Sequence, residues 1–234
     1  MLFKKKEKGL EDDLVLEKDP KSSLSEAIRS IRTNLQFSSV NKKIKIILLT
    51  SPEPGDGKSF ISANLACAYA QDNKKVLIID CDLRRGRQNR IFGVKKDTMR
   101  GYSNLILNYK SSIKIDEYIV KTKTKNVSLI PNGPTPPNPV ELLSSKKNEK
   151  LLNDLSQMFD VIILDCPPVI GMADTLVMTK YSDANIITVS EKKSKMEGLK
   201  IAKKNMEKVD AKITGVIINK ANIKKSNYYG YGYY

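Results

Sequence analysis

The chain has 234 residues with 40% apolar side chains, 6% aromatics and no Trp, a balance usual for one large globular α/β domain with a substantial core. Its 41 Lys and Arg against 26 Asp and Glu leave a formal charge of +15, which favours anionic partners such as nucleotides, nucleic acid or a membrane inner leaflet, or reflects a lysine-rich proteome. The lack of His excludes histidine triads, histidine metal sites and imidazole acid–base chemistry, so any base is a carboxylate or a lysine.

The basic start Met1–Lys6 is followed by no apolar stretch, and no window nears the roughly 20 apolar residues that span a bilayer. Residues Lys4 to Pro20 mix charges without periodicity, which predicts a mobile arm over residues 1–21. A helix follows, with Ser22 or Ser23 as its cap, Glu26 in its first turn, and Leu24, Ile28, Ile31 and Leu35 at helical spacing. Apolar runs then alternate with helical patterns: Ile44–Leu49, the helix Ser59–Ala70, Val76–Ile79, Val127–Ile130, Val161–Leu164, Ile186–Val189 and Ile213–Ile218. Continuous Val, Ile and Leu predict strands buried on both faces, and the interleaved helices predict parallel crossovers. The expected fold is a doubly wound, mostly parallel α/β sheet flanked by helices, a single domain over residues 22–223. Pro131–Pro139 reads as a stiff loop that hands over to a helix capped by Asn138 with Pro139 first. Residues 224–234 read as a low-complexity tail.

In such a sheet the ligand sits beyond the carboxyl ends of the strands. After Ile44–Leu49 comes Thr50-Ser51-Pro52-Glu53-Pro54-Gly55-Asp56-Gly57-Lys58-Ser59, and then an apolar helix. Gly55 and Gly57 let backbone N–H groups turn inward around phosphate oxygens, and the helix N-terminus adds partial positive charge. Lys58 is placed to reach the β- and γ-phosphates of ATP and the Ser59 hydroxyl to ligate Mg²⁺. Pro52 stands where the loop consensus has Gly. Asp80 and Asp82 follow Val76–Ile79, and Asp165 ends Val161–Leu164. One or two such carboxylates near Ser59 are what a hydrated magnesium ion requires. Cys67, Cys81 and Cys166 lack C-x-x-C spacing, which indicates neither zinc site nor disulfide framework and fits a reducing cytosol. Cys81 and Cys166 read as small core fillers at strand ends.

These features resemble the bacterial tyrosine kinases, and within them the separate soluble chains that serve capsule and exopolysaccharide synthesis. The resemblance runs from about Ser22 to Tyr234. It rests on the loop Gly55–Ser59, Asp80-x-Asp82-x-Arg84, Asp165-x-Pro167, Glu26-x-x-Arg29-x-x-Arg32, and a tail containing Tyr228, Tyr229, Tyr231, Tyr233 and Tyr234. It implies a protein-tyrosine kinase of P-loop NTPase fold using ATP and Mg²⁺. Gly55, Asp56, Gly57, Lys58, Ser59 and Phe60 would hold the nucleotide, and Ser59, Asp82 and Asp165 the metal. Lys58, Asp80, Asp82 and Arg84 would serve catalysis, with Asp80 as base by resemblance, although spacing does not decide which aspartate that is. Asn219 reads the adenine edge or is a plain turn residue.

The resemblance further implies phosphorylation of the tail tyrosines in trans within a homo-oligomeric ring. Glu26, Arg29 and Arg32 share one helix face, where they make intrahelical pairs or contacts to another subunit. The implied partners are the cytoplasmic end of a transmembrane polysaccharide chain-length regulator and a cognate tyrosine phosphatase. They place the chain in the cytoplasm, recruited to the inner face of the membrane, and no nucleic acid is expected. Chromosome-partitioning and division-site ATPases share the fold and the second motif but carry a lysine early in the loop. Here that position is Glu53, and no lysine lies between Thr50 and Gly57. Half of the ten tyrosines fall in the last seven residues, among glycines. They form no packed element and read as phosphate acceptors, or as a sticky tail that stacks on bases or rests at a membrane surface.

Overall fold

The structure, a computed structural model, describes residues 14–38, 44–95 and 100–221. Helices α1 (Val15–Lys18) and α2 (Ser23–Phe37) precede β1 (Ile46–Thr50) and α3 (Lys58–Gln71). Then come β2 (Val76–Asp80), α4 (Gln88–Ile91), α5 (Tyr102–Asn108), β3 (Val120–Lys121) and β4 (Val127–Ile130). The chain continues through α6 (Pro139–Ser144), α7 (Lys146–Met158), β5 (Val161–Asp165), α8 (Asp174–Met178), β6 (Ala184–Ser190), α9 (Met196–Glu207) and β7 (Ile213–Asn219).

The strands form one sheet in the order β3-β4-β2-β5-β1-β6-β7. All neighbours are parallel except β3, which runs antiparallel to β4. The doubly wound, mostly parallel sheet expected from the apolar runs is therefore what forms. Every residue of β1, β2 and β5 is buried, because helices cover both faces and aliphatic side chains alternate between them. Ile47, Ile78 and Ile163 join α2 and α3 in one core, while their neighbours Leu48, Leu77 and Leu164 pack with α5 and α7 in the other. The three strands end on polar residues, Thr50, Asp80 and Asp165. Parallel pairing sets Asp80 directly beside Asp165, and Leu49 beside Asp165 on the other flank.

Helix α3 is buried continuously from Ile61 to Ala70. It is apolar all round, as a helix enclosed between a sheet and a second helical layer must be. That second layer is α2, whose cap is Ser22: its Oγ accepts the Ser25 N–H at 3.2 Å.

Three local expectations change. β1 starts at Ile46, not Ile44, because the N–H groups of Lys45 and Ile46 are taken by the Asp183 carboxylate. Pro139 does open α6, but the Asn138 amide donates to Glu141 at 3.1 Å and does not cap the helix. Most clearly, residues 14–21 of the expected mobile arm are docked. Leu14 and Leu16 are buried in the α2–α3 core, and the Val15 N–H donates to Asn64 Oδ1 on α3 at 2.9 Å. A four-residue helix is too short to show a period, so only the completed core reveals it. Residues 1–13 lie outside the described residues.

Leu16 is fully enclosed, so Leu16→Ala is expected to lower unfolding free energy by ~2–5 kcal/mol, the usual range for a large-to-small core change. Urea denaturation checks this, and an unchanged midpoint would show that the segment is not part of the folded core.

Candidate active site

The loop between β1 and α3 has Gly55 at φ +90° and Gly57 at φ +97°, left-handed conformations that disfavour any Cβ. Gly57 carries a second constraint, because a Cβ there would stand 2.0 Å from Asn219 Nδ2. The buried Asp56 carboxylate accepts the Glu53 N–H at 3.2 Å and the Ser194 hydroxyl at 2.8 Å. Its side chain thus braces the loop from within. Pro167, just after β5, offers its carbonyl to Thr50 and Thr175 at 2.7 and 2.6 Å, which fixes the path of the Asp165-x-Pro167 segment against the loop.

Lys58 opens α3, and its Nζ lies 3.1 Å from Asp165 Oδ1, 3.3 Å from Ser59 Oγ and 3.7 Å from Asp82 Oδ2. Asp165 also accepts Gln88 Nε2 at 2.7 Å and the Ser62 hydroxyl at 3.4 Å. Asp80 is fully buried and accepts the N–H groups of Asp82 and Gln88 at 3.2 and 3.0 Å. Burial and the neighbouring Asp165 charge push the Asp80 carboxyl up to about 8, against the downward pull of Lys58. Burial works against the Lys58 ammonium, yet Asp165, Asp82 and Asp80 together hold its pKa above the ordinary lysine value. One cation therefore stands among three carboxylates at the edge of the sheet.

Among the described residues no three His, Cys, Asp or Glu side chains are grouped so as to cage a metal ion by themselves. Magnesium asks less of a protein: it takes one or two carboxylates and fills its other positions with water and phosphate oxygens. Ser59 Oγ, Asp82 and Asp165 all lie within 3.7 Å of Lys58 Nζ. Hard oxygen donors of the right kind thus share one small volume, and they fit a magnesium–nucleotide complex.

Other residues singled out from the sequence are placed differently. The half-exposed Arg84 lies 3.6 Å from Asp174 on α8. Phe60 packs its ring against the core, so only its backbone belongs to the helix start. Asn219 Nδ2 donates to the Asp56 carbonyl at 2.9 Å, and its Oδ1 accepts the Lys220 N–H at 2.9 Å. Arg29 pairs with Glu26 at 2.8 Å and donates to the Pro20 carbonyl, while Arg32 donates to the Ala68 carbonyl at 3.0 Å. All three are thus engaged within the chain itself. Cys81 and Cys166 are fully buried, and burial, with Cys166 alongside, pushes the Cys81 thiol well above its ordinary value, as expected for inert core fillers. The tail tyrosines Tyr228, Tyr229, Tyr231, Tyr233 and Tyr234 lie outside the described residues.

Gln88 escapes a reading of the sequence. It sits at the start of α4, where its amide bridges the Ser59 carbonyl at 3.1 Å and Asp165. Gly86 allows that approach: a Cβ there would come within 2.5 Å of Asp80 Oδ2 and 2.7 Å of Asn132 Cγ. A Gln in a polar turn carries no motif, and Gly86 is the nearest signal. Gln88→Leu strips a donor from a buried carboxylate, so a loss of ~1–3 kcal/mol is expected. Urea unfolding at neutral pH reads it, and wild-type stability would show that the bridge contributes nothing.

Residues 44–220 match the AAA domain family. The chain is 37% identical over 231 residues to the putative tyrosine-protein kinase CapB of Staphylococcus aureus, covering 97% of this chain and 98% of that one. It is 34% identical over 230 residues to the tyrosine-protein kinase YwqD of Bacillus subtilis (strain 168), with 98% and 95% covered. The crystal structure of the chimerical protein CapA2B2 superposes with a TM-score of 0.83 at 34% identity, covering 90% of each chain. Among the described residues no helix is long and apolar enough to cross a membrane. Near-full-length likeness of this order, on a fold that gathers Lys58 and three aspartates at the loop, makes the chain a member of the bacterial tyrosine-protein kinases.

Proposed function

We propose that this chain transfers the γ-phosphoryl group of ATP to the tyrosines of its own C-terminal cluster, Tyr228, Tyr229, Tyr231, Tyr233 and Tyr234, presented by a neighbouring copy. The observation that carries this reading is the convergence of Lys58, Ser59, Asp80, Asp82 and Asp165 at one edge of the sheet, in a chain that ends in a tyrosine cluster. Ser59, Asp82 and Asp165 would hold magnesium, which neutralises charge on the β- and γ-phosphates. The loop amides and Lys58 grip the same oxygens and balance charge as it shifts.

A new bond forms between the phenol oxygen and the γ-phosphorus while the bond to the bridging oxygen breaks, leaving ADP. The phenol, with an ordinary pKa of about 10, gives up its proton as that bond forms. Asp80 takes it in this reading. Its support is its place at the end of β2, directly beside Asp165, where burial raises the basicity of the carboxylate. Arg84, on the exposed side of the same segment, meets the incoming acceptor strand. Phe60 lends its backbone to the phosphate grip.

Glu26, Arg29 and Arg32 form the face through which copies assemble into a ring. The cytoplasmic end of a transmembrane chain-length regulator recruits that ring to the membrane and activates it, a tyrosine phosphatase resets it, and the cycle controls capsule or exopolysaccharide synthesis and export. Each phosphate adds roughly −1.5 to −2 charge, so five bring about −7.5 to −10 against a chain of +15. The tail is then repelled from the three aspartates and the assembly loosens.

Incubating the protein with γ-labelled ATP and magnesium, with its activating partner segment present, is expected to give phosphotyrosine that vanishes in Lys58→Met and when the five tail tyrosines are replaced by Phe. Label that persists in Lys58→Met would refute the assignment, and ATP hydrolysis without label would point to a partitioning-type ATPase instead. Light scattering before and after ATP is expected to show a fall in particle mass, and constant mass would argue against a phosphate-driven release.

A further inference from the structure

Three consecutive carbonyls of the phosphate loop each accept a bond from a side chain outside it. Lys193 Nζ donates to Pro54 O, Lys220 Nζ to Gly55 O at 2.8 Å, and Asn219 Nδ2 to Asp56 O at 2.9 Å. Lys193 belongs to the turn after β6, and Asn219 and Lys220 lie at the end of β7. Because β1, β6 and β7 are adjacent and parallel, their carboxyl ends reach the same edge, beside the loop that leaves β1.

The peptide unit is planar and trans, so a carbonyl held to one side directs the N–H of the next residue to the other. The amides aimed in this way are those of Gly55, Asp56 and Gly57. They are the groups that a loop of this class turns toward phosphate oxygens. We propose that Lys193, Lys220 and Asn219 are positioning residues that set three successive loop amides for phosphate before a nucleotide arrives. This rests on the reading of the loop as a nucleotide grip.

Several features favour pinning over chance contact. Glu53 Oε2 stands 3.9 Å from Lys193 Nζ and helps hold that ammonium over the loop. Ser194, the next residue, donates to Asp56, so the turn after β6 grips the loop at two points. Gly57 leaves open the space that the Asn219 amide fills, since a Cβ would overlap it at 2.0 Å. Lys220 adopts φ +58°, a conformation that L residues hold only where their surroundings fix it, and its own N–H is tied to Asn219 Oδ1.

The test is a calorimetric titration of the full chain with Mg-ADP and, separately, with inorganic tripolyphosphate, which carries no base. For the double change Lys193→Met with Lys220→Met, and for Asn219→Leu, binding of both probes is expected to weaken about tenfold, the scale of one or two lost hydrogen bonds. The melting temperature without nucleotide is expected to hold. Lys193→Arg with Lys220→Arg, which keeps the donors, is expected to restore binding. The deficit of the Met variant is expected to persist in about 1 M salt, where the Debye length is roughly 3 Å.

Wild-type affinity in the Met and Leu variants, convergence of the Met variant with wild type at high salt, or loss of Mg-ADP binding alone by Asn219→Leu would each overturn the inference. The second outcome would leave only distant charge, and the third only recognition of adenine. Should the double variant fail to fold, Lys220→Met and Asn219→Leu carry the same comparison. No binding of either probe by the wild-type chain would overturn the nucleotide reading as well.

Discussion

One ammonium group among three carboxylates governs this molecule. Removing charges from water is costly, and a buried ion cluster is tolerable only when its members are paired and hydrogen-bonded. Lys58 supplies the positive charge for Asp165 and Asp82. Gln88, Ser62 and the backbone of Asp82 satisfy much of what remains on Asp165 and Asp80. Burial, with the Asp165 charge beside it, raises the Asp80 carboxyl despite the nearby Lys58 ammonium. Such a site is poised to exchange partners: in the proposed reading, a bound cation would relieve the carboxylates and a phosphate would give Lys58 a new anion.

The fold delivers that cluster through strand register. Asp80 and Asp165 become neighbours because β2 and β5 are paired in parallel and end level with one another. Lys58 joins them because β1 lies on the other side of β5 and α3 begins where the loop after β1 ends. The completely buried middle strands and the enclosed α3 make this geometry stiff, since a shift of one residue would exchange the side chains fitted into the two cores and part Asp80 from Asp165. The docking of Leu14 and Leu16 onto α3 adds a further layer behind the helix whose first residue is Lys58.

Polar side chains from distant segments finish the site. Asp56 braces the loop internally, Gln88 crosses from α4 to Asp165, and Lys193, Asn219 and Lys220 hold the outer carbonyls. Gln88, Lys193 and Lys220 are separated from the loop by tens to more than a hundred positions, so local pattern says nothing of them. Arg84 illustrates the reverse: the motif groups it with Asp80 and Asp82, yet in the single chain it turns to Asp174.

What the sequence determines by itself is whatever repeats or follows a local rule. Unbroken aliphatic runs give the parallel strands, buried on both faces in β1, β2, β5 and β6 but half-exposed at the edge in β7, where Val216 and Ile218 face out, and Gly55-Asp56-Gly57-Lys58-Ser59 between a strand and a helix gives the phosphate loop. Ser22 or Ser23 gives a helix start because a serine hydroxyl can serve a backbone N–H three residues away, and the structure selects Ser22. The docked segment at Leu14–Lys18, the two-residue strand β3, the bridging Gln88 and the carbonyl donors Lys193 and Lys220 are decided by tertiary structure alone. They are too short to show a period or too far from their partners to leave a trace, because hydrogen bonds and buried contacts across the fold depend on where chain segments meet in space.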